Sequence, residues 1–128
     1  MSVAHTRDLY FITDADERFV KIGLSRDVHQ RLESLQAGSP LVLVLKLVIY
    51  DCGRPEEERL HHAFAQYWRH REWFDYADAI KVRVDAALEV GEWDWTDIPA
   101  TRDRYDPSFG GLITHYELLA HIKAEASA

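Results

Sequence analysis

The sequence predicts a compact α+β domain: a small three-stranded sheet, made of a hairpin plus a central strand, flanked by helices and followed by an extended C-terminal arm. Three observations predict it. Two short runs of β-branched and aromatic residues, Leu9 to Thr13 and Phe19 to Gly23, flank a few Asp-rich positions in the manner of a hairpin. A nearly continuous apolar run extends from Leu41 to Tyr50, broken by Lys46. Between and after these runs, apolar residues recur at helical spacing, and Gly or Pro punctuates the stretches.

Each element has its own signal. After the hairpin, Ser25 to Asp27 offers helix N-caps, and Val28, Leu32, Leu35 and Gln36 follow at helical spacing until Ala37-Gly38-Ser39-Pro40 stops them. The length and Val content of Leu41 to Tyr50 suit a buried central strand. Asp51-Cys52-Gly53-Arg54-Pro55 reads as a turn that places Pro55 at a helix's first position. Leu60, Phe64 and Tyr67 or Trp68 then make one apolar stripe, which predicts a helix over residues 55–68. Ile80, Val84, Ala87 and Leu88 predict another from Ala77 to Glu89, stopped by Gly91. From residue 93 the composition shifts to Trp, Asp, Pro and Gly. Residues 93–112 read as an arm packing Trp93, Trp95 and Phe109 on the body, and Thr114 to Ala124 as a short terminal helix. The order is ββαβαα plus a tail, divided as residues 1–92 and 93–128.

Composition excludes several function classes. A chain of 128 residues with 47% hydrophobic and 29% charged residues is one globular domain, not a disordered or collagen-like chain. The single Cys52 excludes an intramolecular disulfide framework and a multi-cysteine zinc site. No apolar run approaches the ~20 residues that span a bilayer, so no membrane partner is expected. The N-terminus lacks a basic-then-apolar signal layout, which predicts a reducing cytoplasm, that of the host if the chain is phage-encoded. The net charge is −7, with six charges of each sign in residues 1–50 and an acidic excess in the remainder. Affinity for nucleic acid drawn from Lys and Arg on phosphates must therefore come from a local basic face in the first fifty residues.

Tyr10 and Lys21 fall on the two paired strands and Arg31 on the helix that follows. Glu57 and His61, four residues apart, share a helical face distinct from the Leu60 stripe. A phenol, an amine, a guanidinium, a carboxylate and an imidazole are ingredients of phosphodiester hydrolysis: the carboxylate holds a hard divalent cation and the guanidinium neutralises charge on phosphoryl oxygens.

Their order is similar to that of a known family. Tyr10, then Lys21-Ile22-Gly23, then Arg31 within Val20 to Leu32, resembles the motif series of the GIY-YIG endonuclease superfamily, and most closely its phage and bacterial branch with Lys-Ile-Gly as second motif. Glu57, Leu60, His61 and Phe64 resemble that branch's Glu-x-x-Leu-His-x-x-Phe helix, and Glu72-Trp73-Phe74 its later Glu-Trp-Phe. The first motif departs from the pattern, with Leu9-Tyr10-Phe11 in place of Gly-Ile-Tyr, and Lys21 stands where many members have tyrosine. The resemblance implies a GIY-YIG-like sheet with the active site on its face. It implies Tyr10 and Lys21 as the pair that activates water, Arg31 as the phosphate clamp and Glu57 as ligand to one Mg²⁺ or Mn²⁺. It further implies His61 as proton carrier or substrate contact, and Ser25 and Arg26 as substrate-binding positions.

The bland readings stand beside these. Tyr10 packs at a core edge, Lys21 is a solvated strand residue, Arg31 pairs with Asp27 one turn earlier, and Glu56-Glu57-Glu58 complements a helix dipole. Glu72-Trp73-Phe74 closes the core. The expected function is metal-dependent endonucleolytic hydrolysis of DNA. The alternative is the same fold kept as a catalytically weak or inactive module that binds nucleic acid or a protein, with the arm as contact for a partner or a second copy.

Overall fold

Side-chain alternation in the first two strands sets the architecture. In the computed structural model, which describes residues 6–100, 105–106 and 110–127, β1 (Arg7–Asp14) and β2 (Phe19–Ser25) form the predicted antiparallel hairpin, with Tyr10 opposite Gly23 and Ile12 opposite Lys21. Successive side chains leave opposite faces of a strand. Leu9, Phe11, Val20 and Ile22 therefore enter one core, while Tyr10 and Ile12 enter a smaller one on the other side. The buried Asp14 carboxylate closes the turn by accepting from the amides of Arg18 and Phe19, both at 2.8 Å.

Asp27 caps α1 (Val28–Ala37), its carboxylate accepting from the Gln30 amide at 3.0 Å. The helix lays Val28, Leu32 and Leu35 over the Tyr10 side of the sheet. Gln36 then fixes the next strand, donating to the Leu41 carbonyl at 2.9 Å and accepting from the Leu43 amide at 2.7 Å. That strand, β3 (Leu43–Cys52), pairs with β1 but lies at the edge of the sheet, not at its centre. Its burial explains the difference: Val44 and Tyr50 are exposed, and most of the remaining side chains are half-buried.

The helix predicted over residues 55–68 is α2 (Arg54–Ala63) and ends earlier. Phe64 leaves helical geometry, a 3-10 turn over Ala65–Tyr67 follows, and Trp68 turns into β4 (Trp68–His70). A tight turn returns the chain as β5 (Trp73–Asp75), which pairs with the free side of β2. The sheet thus has five antiparallel strands in the order β3-β1-β2-β5-β4, not the three expected. Strands of three residues are too short to display alternation, and their aromatic content reads as core closure instead.

Next, α3 (Asp78–Val90) buries Ile80, Val84 and Ala87 against the main core and stops at Gly91, whose φ of 94° is left-handed and suits glycine. Trp93 stacks on Phe11 with ring centroids 5.2 Å apart, and Trp95 receives the Arg59 guanidinium at 4.6 Å. Phe109 lies outside the described residues. A short pair, β6 (Tyr105–Asp106) and β7 (Gly111–Leu112), leads to α4 (His115–Ser127), longer than the terminal helix expected. Leu118 and Leu119 are fully buried, so α4 is docked on the body. No helix among the described residues is long and apolar enough to cross a membrane.

Candidate active site

The site is built around a glycine. Tyr10 projects from β1 on the side of the sheet opposite Leu9 and Phe11, and Gly23 faces it from β2. A Cβ at Gly23 would lie 2.3 Å from Glu72 Oε2 and 2.5 Å from the Tyr10 hydroxyl oxygen. The bare glycine is what lets a phenol and a carboxylate meet over the strand. Arg31 reaches down from α1, its Nε donating to the Tyr10 hydroxyl at 3.5 Å, the long end of hydrogen bonding. Asp27, the ion partner of Arg31 in the bland reading, caps α1 with its carboxylate.

Burial tunes these groups in different directions. Tyr10 is fully buried, and the loss of water pushes its hydroxyl up to about 12 although the Arg31 hydrogen bond pulls the other way. That same bond raises the Arg31 guanidinium further. Lys21, buried on β2 with its ammonium 5.6 Å from the Trp73 ring centroid, has its pKa lowered by desolvation, partly offset by the charge of Glu72.

The second carboxylate comes from α2. Glu56 reaches back to the Gly53 amide at 2.8 Å and fixes the helix start, while Leu60 and Phe64 anchor its apolar stripe in the core. Glu57 then lines a pocket of about 650 Å³ together with Glu72. Burial, and after it the Glu72 charge, push Glu57 up to about 7. One turn on, His61 is buried and both its ring nitrogens are engaged. Nε2 lies 2.7 Å from the Ile22 carbonyl oxygen, and Nδ1 lies 2.7 Å from Nε2 of His115 in α4. Burial drives its pKa down to about 3, so the ring is neutral near pH 7.

The structure thus brings Tyr10, Lys21 and Arg31 together on one side of the sheet. Through Glu72 it connects them to Glu57, while His61 sits in the wall between α2, β2 and α4. Ser25 is engaged in the turn before α1, its hydroxyl accepting from the Asp27 amide at 3.1 Å and donating to the Asp27 carbonyl at 2.9 Å. Arg26 is exposed in the same turn.

The T5orf172 domain profile matches residues 9–93, about two thirds of the chain. The chain belongs to the T5orf172 family. T5orf172 domains occur in phage and bacterial nuclease-like proteins and are loosely related to the GIY-YIG and HNH-type endonucleases. Comparison with curated proteins and with solved structures finds no match.

The T5orf172 segment holds Tyr10, Lys21, Arg31, Glu57, His61 and Glu72, whereas His115 and Tyr116 in the pocket wall lie beyond it. Two participants escaped the sequence reading. Glu72 was visible within Glu72-Trp73-Phe74, but its aromatic neighbours pointed to core closure. His115 carried no local signal, because its contact with His61 spans 54 positions.

Proposed function

We propose that this T5orf172 chain is a GIY-YIG-type, metal-dependent endonuclease that hydrolyses DNA phosphodiester bonds. One observation carries the reading: the bare face of Gly23 gathers the Tyr10 hydroxyl and the Glu72 carboxylate, with Arg31 bonded to that hydroxyl and Glu57 close enough to feel Glu72. The Glu72 charge adds to the cost of ionising Glu57, a cost that a divalent cation relieves, and carboxylate oxygens suit Mg²⁺ or Mn²⁺. Among the described residues no group of three or more His, Cys, Asp or Glu is arranged to hold a metal ion. The donor set is therefore Glu57 and Glu72, completed by water and phosphate oxygens, the usual manner of holding Mg²⁺. A cation bound there supplies Lewis-acid polarisation of the phosphoryl oxygen.

The residues divide the remaining work. Arg31 sets its guanidinium against the charge that grows on the phosphoryl oxygens. Tyr10, protonated near neutral pH, orients the attacking water by hydrogen bonding rather than acting as base. Lys21, in the unprotonated form that burial favours, accepts the water's proton as the new P–O bond forms and the bond to the leaving oxygen breaks, the leaving oxygen taking its proton from solvent. His61 holds α2 on β2 and so holds Glu57.

Plasmid cleavage tests the reading. Nicking with Mg²⁺ or Mn²⁺ that is lost in EDTA and in Glu57→Gln supports it. A folded protein that leaves the plasmid intact with either metal at low salt sinks it. The alternative, a module that binds DNA or a protein without turnover, is favoured by one observation: with Tyr10 raised and His61 doubly bonded, neither of these two serves as proton carrier near neutral pH. Steeply salt-dependent DNA binding without cleavage is its signature. Association through the C-terminal arm, as homodimer or with another protein, is read by light scattering.

A further inference from the structure

Ile22 is the hub of a hydrogen-bonded chain that links α4, α2 and β2 to the turn between β4 and β5. Its amide donates to the Glu72 carbonyl at 3.0 Å, and its carbonyl accepts from His61 Nε2. A carbonyl oxygen only accepts, so the His61 proton sits on Nε2. The Nδ1 of this neutral ring is then an acceptor, and His115 Nε2 must be the donor across their 2.7 Å contact. The bonds from His115 to His61 and from His61 to the Ile22 carbonyl donate in the same sense through one imidazole ring, so the first polarises the second, while the Ile22 amide, in the preceding peptide unit, ties the same strand residue to the Glu72 backbone. Glu57 hangs on this chain one turn before His61, and Glu72 ends it. The same pocket that contains both carboxylates is walled by residues 112–117, which lie outside the T5orf172 segment.

We infer that residues 112–117 of the C-terminal arm are part of the active site, and that His115 is the positioning residue that holds the His61 ring, whose tautomer the Ile22 carbonyl sets, and through it the placement of Glu57 and Glu72. The inference rests on the nuclease reading and extends it beyond the family's own segment. His115 is half-buried and stacked on His61, with ring centroids 5.0 Å apart, so its donor is held in register by packing as well as by the bond. Partners that orient a catalytic or metal-binding group in this way typically cost about 10–100-fold when removed.

The experiment uses the full chain and compares wild type, His115→Ala, His115→Gln and His115→Glu in plasmid cleavage with Mn²⁺. Each protein is checked for folding by its melting transition. His115→Ala is expected to lose about 10–100-fold in kcat with little change in KM for DNA. His115→Gln, whose carboxamide can still donate to Nδ1, is expected to recover most of that loss. His115→Glu, of the same length but without a donor at neutral pH, is expected to recover none. If the alanine variant does not fold, the Gln and Glu pair carries the test alone. Nitrogen-15 spectra of the His61 ring supply a readout that general loosening would not reproduce: an unprotonated Nδ1 is expected in wild type and His115→Gln, whereas in His115→Glu the carboxylate is expected to draw a proton onto Nδ1. Equal rates in Gln and Glu variants, or wild-type rates in a folded alanine variant, overturn the inference while leaving the nuclease reading intact. A wild-type protein that does not cut sinks the nuclease reading, and this inference with it.

Discussion

The two sides of the β1–β2 hairpin are made from the same strands and do opposite work. On one side Leu9, Phe11, Val20 and Ile22 meet Leu60, Phe74, Ile80 and Trp93, and each is essentially removed from water. On the other side, one residue out of phase, Tyr10, Lys21 and Gly23 share the surface with α1, and burial there is applied to a phenol and an amine. Full burial of a large apolar side chain contributes about 1.5–3 kcal/mol. Burial of an ionisable group disfavours its charge and shifts its proton affinity instead. One period-two pattern therefore yields a face that stabilises and a face that is chemically tuned.

Substitutions that respect this division are expected to separate stability from activity, and the largest contrast is Phe11→Ala against Gly23→Ala. Phe11 is fully buried and stacked on Trp93, so truncation is expected to cost about 3–5 kcal/mol, read as a lower urea midpoint. Gly23→Ala places a methyl group where the Glu72 and Tyr10 oxygens now lie. Those side chains must move, and displacement on that scale is expected to lower cleavage by about 100-fold while the core stays formed. Loss of stability in Gly23→Ala as large as in Phe11→Ala, with cleavage per folded molecule unchanged, would erase the distinction between the faces.

Arg31→Ala sharpens the same contrast from outside the strands. The residue is exposed and its guanidinium rests on the Tyr10 hydroxyl, so its removal is expected to change stability by no more than about 0.5 kcal/mol. Cleavage is expected to fall by about 100–1,000-fold, the loss typical of removing a preorganised donor to a developing oxyanion. Wild-type cleavage in this variant removes Arg31 from the mechanism.

How much of this was legible in the sequence follows from the range of each signal. The hairpin, the Asp27 cap and the Leu60–Phe64 stripe are local, and the structure places them as read. The long apolar run of β3 was misplaced to the sheet's centre, because continuous hydrophobicity registers apolar content and not the number of neighbours. Trp68–His70 and Trp73–Asp75 became strands through pairing with β2 and with each other, which no three-residue window records. The site divides in the same way. Tyr10, Lys21, Arg31 and Glu57 stand out in the sequence through their resemblance to the GIY-YIG motif order, within the first sixty residues. Glu72 joins them through a two-residue turn whose Arg71 adopts a φ of 56°, and His115 joins through a contact made only after α4 docks.

Protonation carries the comparison to its finest grain. His61, buried within the apolar packing beside Phe74, has its pKa lowered to about 3, well below the ~6.5 of an unfolded histidine. A depressed value means that His61 favours the fold above the unfolded pKa, and that this contribution is lost as pH falls through the interval from ~6.5 toward 3. Urea midpoints are expected to drop between pH 7 and pH 5 while the His61 ring stays neutral by NMR. A ring that gains its proton near pH 6 would contradict the buried placement.

Glu57 moves the opposite way and with a smaller effect. Its folded pKa of about 7 exceeds the ~4.3 of an unfolded glutamate, so between those values the folded chain keeps a proton that the unfolded chain has released. The contribution is fully present below the unfolded value and is lost as pH rises through 7. Glu57→Gln cannot ionise and is expected to gain in urea midpoint relative to wild type at pH 8 but not at pH 4. Cleavage has the reverse demand, because metal ligation needs the carboxylate, and it is expected to rise as pH climbs through 7. Mn²⁺ is expected to stabilise the wild type at pH 8 by mass action and to leave Glu57→Gln unchanged. An identical pH dependence in the two proteins would place Glu57 in water and away from Glu72. The expected divergence makes the ionised Glu57 a residue that weakens the empty fold under the conditions in which the site works, whereas Phe11, on the opposite side of the sheet, supplies stability without regard to pH.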